Sequence, residues 1–208
     1  MKSKQNRSPG RPRSKDLELP TKDSILMAAS RLFLENSYPN VSVDDVAKVC
    51  NVTKATVYYY YDSKAELFTE TMVQMMERIR KRMHVLLQED LPLRERLLNV
   101  TRAHLRATVN IDIEGITKGL KDALTTEQTK KMHNAKKDMH QAIETSFVDA
   151  VNDGEIPEIN PAFAAQAYLS LVRVGNYKTT DNKSIFSNTE EAAEQIIEFF
   201  WRGLFPKN

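Results

Sequence analysis

The sequence predicts an all-α protein, and three observations support that fold class. Leu, Ala, Met, Glu and Lys, which favour helices, are abundant in the chain, whereas glycine occurs only six times in 208 residues. Apolar residues recur at the three- and four-residue spacing of a helix face, and no stretch shows the alternation of a strand. Capping residues, asparagines, prolines and glycines then divide the chain into about nine helices.

Composition and charge restrict the class of protein. No apolar run approaches the roughly 18 residues needed to span a bilayer, and no apolar signal region follows the basic N-terminus. The single cysteine, Cys50, excludes an internal disulfide and fits a cytoplasmic protein. The net charge is only +2, but residues 1–64 carry 11 Lys and Arg against 7 Asp and Glu. Residues 1–15 hold six of those cations and no acid, so this end either binds a polyanion or acts as a solubilising tail.

The chain begins with a predicted disordered arm, residues 1–19, because "RSPGRPRSK" holds two prolines and a glycine. A first helix is expected to begin after an N-cap at Thr21. Its single apolar face is formed by Ile25, Ala28, Ala29, Leu32 and Phe33. The turn-forming run "ENSYPN" is expected to end that helix.

Residues 42–60 predict two short helices joined by a tight turn. Ser42 and Asp45 form a capping-box pair at the start of the second helix. Asn51, which tolerates the left-handed conformation, ends that helix, and Thr53 caps the third. Generic helix pairs share this spacing, but the cap, turn and second cap together are typical of a helix-turn-helix.

Two further signals define the next helix boundaries. Val52 and Val57 form a hydrophobic staple across the start of the third helix. Ser63 and Glu66 form a second capping box, which opens a fourth helix of roughly 25 residues ending near "QEDLP". The rest of the chain is predicted to form further helices at 92–110, 114–124, 126–152, 161–178 and from a cap at Thr189 to Gly203.

The run "SVDDVAKVCNVTKATVYYYYDSKAELF", residues 42–68, resembles the DNA-binding domain of TetR-family transcriptional regulators. The resemblance extends back to about residue 21, and Asn36 and Asn51 stand where the family often has glycine. It implies an all-α homodimer whose C-terminal domain binds a small effector. The implied regions are the basic arm at 1–19, a three-helix DNA-binding domain with the helix-turn-helix at 20–65, and a helical effector-binding and dimerisation domain at 66–208.

The third helix is expected to face DNA with its outer side. At about 100° per residue, Val57 and Tyr61 point into the domain, and Tyr59 points almost directly away. Tyr58 and Tyr60 flank Tyr59, so these three rings are predicted to lie against DNA, with their hydroxyls near phosphates. Lys54 is the best candidate for a guanine contact, with a phosphate contact as its alternative. The residues that the resemblance places deepest in the major groove are Thr53, Lys54, Ala55 and Thr56.

Four further residues complete the predicted DNA contacts. Lys64 stands in the first turn of the fourth helix, where a cation is unfavourable unless a phosphate binds beside it. Ser42 begins a helix, so it has a capping role and, by the family's pattern, a phosphate contact. Arg11 and Arg13 belong to "PGRPR", which looks like the core of an AT-hook, and they are predicted to enter a flanking minor groove.

Arg173 is the main candidate for an effector contact. It stands in the apolar run "AQAYLSLVRVGNY", where an arginine needs either an acidic partner or an anionic ligand. Tyr177 shares its helix face, and the residues expected to line the same cavity are Phe147, Ile143, Met139 and Met76. The methionines serve equally as core residues. No cofactor, metal site or catalytic set is predicted, because His133 and His140 are seven residues apart in a charged helix and no Gly-rich phosphate loop occurs.

The last two helices are more apolar than surface helices need to be, through Tyr168, Leu169, Leu171, Val172, Ile196, Phe199, Phe200, Trp201 and Leu204. The resemblance makes them a four-helix homodimer interface. Such a dimer presents two third helices to successive major grooves of a near-palindromic operator. The predicted function is a sequence-specific repressor that a small effector releases from double-stranded DNA. The alternatives are an activator or corepressor-dependent regulator of the same fold, and a helical protein–protein adaptor.

Overall fold

The computed structural model describes residues 21–109, 111, 116, 120 and 122–206. Within these residues the only β-pairing is an isolated bridge between Lys178 and Ser184, so the predicted all-α class is confirmed. No helix in the described part of the chain is both long and apolar enough to cross a membrane. The described helices number eight: α1 (Thr21–Asn40), α2 (Val43–Val49), α3 (Lys54–Tyr60), α4 (Lys64–Leu87), α5 (Leu93–Thr108), α6 (Thr126–Asn152), α7 (Pro161–Val174) and α8 (Thr189–Leu204).

Two sequence predictions fall outside the description. The arm with Arg11 and Arg13 lies wholly outside the described residues. The helix predicted at 114–124 lies mostly outside them, and both predictions therefore stay predictions.

Two hydrophobic clusters organise the fold. The first joins α1, α2 and α3 to the beginning of α4, and at its centre the rings of Phe33 and Phe68 meet edge to face with centroids 5.0 Å apart. The second cluster joins the four helices α5, α6, α7 and α8 to the end of α4, and its buried aromatic residues are Phe147, Tyr168 and Phe200. The fourth helix therefore contributes side chains to both clusters, and it also packs along α6.

The turn between α2 and α3 forms as predicted. Both halves of the capping box are present, because Asp45 N–H donates to Ser42 Oγ (3.2 Å) and Ser42 N–H donates to Asp45 Oδ2 (2.9 Å). Asn51 adopts φ 54°, the left-handed conformation that an asparagine tolerates. The N–H groups of Asn51 and Val52 donate to carbonyls of the last turn of α2 at 3.1 and 3.0 Å. These bonds fix the angle at which α3 leaves α2.

Several helix ends differ from the sequence predictions. Thr21 is the first residue of α1 as described rather than its N-cap. The break near the end of α1 lies at Ser37 (φ 60°, ψ 163°) and not at Asn36. Asn36 stays helical because its Nδ2 donates to the carbonyl of Leu32, four residues back, at 3.2 Å. The break therefore lies inside the run "ENSYPN" that was expected to end the first helix.

Two predicted helix starts differ in detail: Ser63 is the N-cap of α4 as predicted but forms only half of the expected capping box, and the N-cap of α8 lies one residue earlier than predicted. Ser63 Oγ accepts from Glu66 N–H (3.1 Å), but the Glu66 carboxylate accepts from the N–H of Asp62 (2.6 Å) instead of from that of Ser63. Asn188, not Thr189, is the N-cap of α8, and its Oδ1 accepts from the two N–H groups at positions 190 and 191. An asparagine oxygen at a cap satisfies these donors well, which places Thr189 inside the helix.

The helix α7 is shorter than predicted, and other helices pack closely against its end. It stops at Val174 rather than at residue 178, with Gly175 as its C-cap. A Cβ atom at Gly175 would lie 2.5 Å from Leu105 Cδ2 and 3.1 Å from Ile196 Cδ1. The missing side chain thus lets α5 and α8 pack against the end of α7.

Candidate nucleic-acid interface and effector site

The outer side of α3 is the most exposed aromatic surface of the N-terminal helices. This seven-residue helix begins after its N-cap Thr53, whose Oγ1 accepts from Thr56 N–H at 3.1 Å. Tyr59 is 82% exposed, and Tyr58 is 43% exposed. Tyr60 is half-buried, and its ring meets that of Tyr59 edge to face with centroids 5.0 Å apart. The three rings thus form an aromatic edge, as the 100° rule predicted, although Tyr60 covers part of the domain's own core.

Tyr61 points inward with Val57, and both residues are at most 2% exposed. Tyr61 already has extended dihedral angles (φ −141°, ψ 116°), but its N–H still donates to Val57 O at 3.1 Å. It therefore leaves the helix at a position where its side chain faces the core. Its hydroxyl is buried and has no hydrogen-bond partner in the described part of the chain. Desolvation, with a smaller contribution from nearby acids, raises the pKa of Tyr61 to about 12.

Lys54, the predicted base contact, already has an acidic partner. Its Nζ donates to Asp44 Oδ2 at 2.6 Å, and both side chains are about half exposed. The hydrogen bond to Asp44 and the charge of this carboxylate raise the pKa of Lys54 above its ordinary value. The sequence analysis missed Asp44. The available signal was an acid in the first turn of α2 and a cation at the first position of α3.

The other predicted N-terminal contacts have structural partners of their own. Lys64 Nζ lies 4.3 Å from the centroid of the Tyr38 ring and donates to Pro39 O at 3.3 Å. Desolvation lowers the pKa of Lys64. Ser42 Oγ lies 2.6 Å from Asp45 Oδ2, and it is exposed, as is Ala55. These residues border one surface, but Lys64 in this position also ties the start of α4 to the end of α1.

The six predicted effector residues divide into three pairs. Ile143 and Phe147 are fully buried in the C-terminal cluster. Met76 on α4 and Met139 on α6 are half-buried, and these two helices pack against each other. Arg173 and Tyr177 are exposed, and among the described residues no carboxylate pairs with Arg173 within 4.0 Å. Arg173 is therefore exposed rather than enclosed, the alternative of an internal ion pair is not found among the described residues, and the anionic-ligand alternative stays a prediction.

A ladder of ion pairs ties α5 to α8. Arg94 bonds Glu198 at 2.6 Å, and Arg102 bonds Glu194 at 3.0 Å. Arg106 donates to Glu190 one turn further along. The ladder flanks an open groove of about 860 Å³ that contains the exposed ring of Phe199.

The apolar residues of the last two helices divide into an exposed set and a buried set. Phe199 on α8 and Phe163 on α7 are large and exposed, at 70% and 63%. Four of the residues assigned to the dimer interface are instead buried in the protomer's own C-terminal cluster, and they are Tyr168, Val172, Ile196 and Phe200. The sequence could not separate these sets, because a helix that packs on both sides is apolar on both sides.

Comparisons with known proteins agree with this geometry. Residues 25–71, which include the turn between α2 and α3, match the family model described as bacterial regulatory proteins, tetR family. The chain is 25% identical over 160 residues to YhgD of Bacillus subtilis, an uncharacterized HTH-type transcriptional regulator, and the match covers 74% of this chain and 82% of that one. A segment of 51 residues is 39% identical to IcaR of Staphylococcus epidermidis, a negative transcriptional regulator of the biofilm operon icaADBC. That segment spans 24% of this chain and 28% of the relative.

The fold extends the likeness beyond the matched N-terminal segment. The structure is similar to that of the transcriptional regulator FadR of Bacillus subtilis, solved in complex with stearoyl-CoA. The TM-score is 0.70 at 19% identity, and the superposed region covers 86% of this chain and 96% of that one. The arrangement of the C-terminal helices is therefore shared although few residues are.

Proposed function

We propose that this chain, which belongs to the TetR family of bacterial transcriptional regulators, is a homodimeric cytoplasmic repressor whose affinity for its operator falls when a small effector binds. The observation that carries this proposal is the exposed outer side of α3. Tyr59 is 82% exposed on a helix whose opposite side is packed into the first cluster. A large aromatic ring that faces solvent on the side opposite the core adds little to the core, and it suits contact with a DNA backbone or a thymine methyl group.

In the proposed complex, α3 lies in the major groove. Thr53, Lys54 and Ala55 at its beginning approach the bases, with Thr56 beside them, and the aromatic edge contacts the backbone. Ser42 and Lys64 begin α2 and α4, whose free N–H groups favour phosphates. Arg11 and Arg13 of the basic arm enter the adjacent minor groove.

The proposed dimer forms through α7 and α8. Phe163 and Phe199 are the large exposed aromatic residues of these two helices, and aromatic rings are typical anchors of protein interfaces. The ion-pair ladder connects α8 to α5, so a change in the C-terminal helices is transmitted to the dimer interface. The two DNA-binding domains of such a dimer contact a near-palindromic operator.

The proposed effector binds between α4 and α6, with Met76 and Met139 at the entrance and Ile143 and Phe147 at the apolar end. Arg173 and Tyr177 lie on the solvent side of this region, where a cation suits an anionic group of the ligand. An acyl-CoA is the first class to test, since FadR, which shares the fold, was solved with stearoyl-CoA.

Operator binding is tested with the purified full chain and the DNA upstream of its own gene. We expect a specific complex of one dimer per site, with an affinity that falls steeply as salt rises. A transcription assay with that DNA should show less transcript when the protein is added, whereas more transcript identifies an activator. The absence of a specific, salt-sensitive complex would refute the proposal and favour a helical adaptor.

The effector proposal has its own test. Stearoyl-CoA should weaken operator binding by wild type, and the Arg173→Met variant should bind the operator normally but respond at higher ligand concentrations. Lys137→Met is the matched control, because Lys137 is an exposed cation on α6 and has no ion-pair partner among the described residues. Equal responses of both variants would remove Arg173 from the site.

A further inference from the structure

We propose that Asp44 is a positioning residue for base recognition, which holds the Lys54 ammonium toward the bases and keeps it from binding phosphate on non-specific DNA. This inference rests on the proposed function, because it requires α3 to lie in the major groove. It assigns a role to an acid on a surface that must approach a polyanion, where a negative charge by itself weakens binding.

The geometry supports a fixed pair. Lys54 is the first residue of α3 and Asp44 the second residue of α2, so the turn closed by Asn51 brings the two side chains together. The Nζ–Oδ2 distance of 2.6 Å is short even for a hydrogen bond between charged groups. Within the described residues this is the only ion pair between α2 and α3. The neighbouring Asp45 is already engaged by Ser42 in the capping box.

The pair changes what Lys54 can bind. An ammonium group has three N–H donors. When one of them is bonded to Asp44, the position of the group is fixed, and the other two N–H bonds can point in only a few directions. Guanine O6 and N7 are neutral acceptors, so Lys54 can still donate to them. A phosphate is an anion, and the nearby carboxylate of Asp44 repels it. Asp44 therefore weakens a phosphate contact of Lys54, which DNA of any sequence can provide. It weakens the guanine contact, which only the operator provides, to a smaller extent. Its expected effect is on the ratio of specific to non-specific affinity.

The test uses the full chain, the operator duplex that wild type selects from a random pool, and a scrambled duplex of equal length. Fluorescence anisotropy at several salt concentrations gives both affinities and their salt slopes. The Asp44→Asn variant should bind the scrambled duplex more tightly, with a slope steeper by about 0.9 per subunit for one added phosphate contact. Its ratio of specific to non-specific affinity should fall by about fivefold or more, which is the discrimination that one base contact provides.

Asp62→Asn is the matched control. Asp62 is exposed between α3 and α4 and carries the same charge, and within the described residues its carboxylate makes neither a hydrogen bond nor an ion pair with Lys54. Removing it should change both affinities together and leave their ratio nearly constant. Thermal unfolding of both variants checks that each remains folded.

The role of Lys54 is tested by a second pair of variants. When Lys54 is already replaced by Met, adding Asp44→Asn or adding Asp62→Asn should give the same ratio of specific to non-specific affinity. Asp44→Glu, which keeps a carboxylate within reach of Lys54, should retain most of the wild-type ratio. Equal ratios for Asp44→Asn and Asp62→Asn in the presence of Lys54 would overturn the inference and leave Asp44 as one general negative charge. A wild-type chain that selects no sequence would instead refute the proposed function, and this inference with it.

Discussion

Replacing Tyr61 by phenylalanine should make the protein slightly more stable. The ring is 2% exposed, and its hydroxyl is buried without a hydrogen-bond partner in the described residues. Burying a hydroxyl without a partner costs about 1–3 kcal/mol, whereas the ring itself is kept in the variant. We expect the free energy of unfolding to rise by about 1 kcal/mol. Tyr61→Ala, which also removes the ring, should lower it by about 3–5 kcal/mol.

The advantage of the phenylalanine variant should grow at alkaline pH. Burial raises the pKa of Tyr61 from 10.0 to about 12. Between these values the unfolded chain has lost this proton while the folded protein still binds it. The unfolded state then binds fewer protons, so the stability of wild type falls as pH rises across the window. The unfolding free energy of wild type falls by at most about 1.4 kcal/mol per pH unit from this group. Tyr61→Phe lacks the hydroxyl, so its stability does not show this decrease.

The measurement is urea denaturation followed by circular dichroism at pH 7 and at two values between 10 and 12. Tyr59→Phe is the control, because it removes an exposed hydroxyl, and it should match wild type at every pH. If Tyr61→Phe were less stable than wild type by about 1 kcal/mol, the hydroxyl would have a bonding partner, such as a buried water. An unchanged difference between wild type and Tyr61→Phe from pH 7 to pH 11.5 would refute the argument from desolvation.

Three further predictions concern other parts of the chain. Tyr59→Ala should leave the unfolding free energy within about 0.5 kcal/mol of wild type but weaken operator binding. Denaturation measures the first quantity and fluorescence anisotropy the second. A loss of stability with normal operator binding would mean that α3 is rotated. Deleting residues 1–15 should weaken operator binding and reduce its salt slope, so unchanged affinity at two salt concentrations excludes a contact by the arm. Gly175→Ala should destabilise by about 1–3 kcal/mol because its Cβ would meet the Leu105 side chain, whereas Gly203→Ala, which meets nothing within 4 Å, should be neutral or stabilising. Equal melting temperatures for the two glycine variants would contradict the packing argument.

Local chemistry explains which parts of the fold could be predicted. The capping box at Ser42 and the left-handed Asn51 depend on neighbours a few residues away, and both were predicted correctly. The C-cap at Gly175 depends on Leu105, seventy residues earlier in the chain, and no local pattern contains that contact. The assignment of Tyr168 to a dimer interface failed for the same reason, since its hydroxyl lies 2.9 Å from Thr101 Oγ1 inside the protomer.

The candidate site follows the same rule. The direction of Tyr59 depends on helix geometry, so the sequence was sufficient to predict it. The partner of Lys54 depends on the angle between two helices, and the pairing with Asp44 becomes visible only when that angle is known. The exposure of Arg173 depends on how α7 rotates against α6 and α8, and its apolar neighbours in sequence misled the prediction. The domain boundary at residue 65 stays a prediction, because Met72 on α4 still packs into the first cluster.

In the proposed function, the position of α4 between the two clusters provides a physical route from the effector site to the DNA-binding helices. Leu67 and Phe68 at its beginning are buried with the DNA-binding helices, and Leu87 at its end is buried with the C-terminal helices. The helix has 24 residues, and at about 1.5 Å per residue it spans about 36 Å. Because close-packed interiors do not deform continuously, a displacement of α4 at Met76, where the effector is proposed to bind, is taken up as a tilt of the whole helix. Such a tilt moves α1, because Lys64 and Tyr38 join the start of α4 to α1, and α3 moves with it because both helices pack into the first cluster. An effector that favours the tilted arrangement by about 1–3 kcal/mol is sufficient for the coupling typical of allosteric proteins.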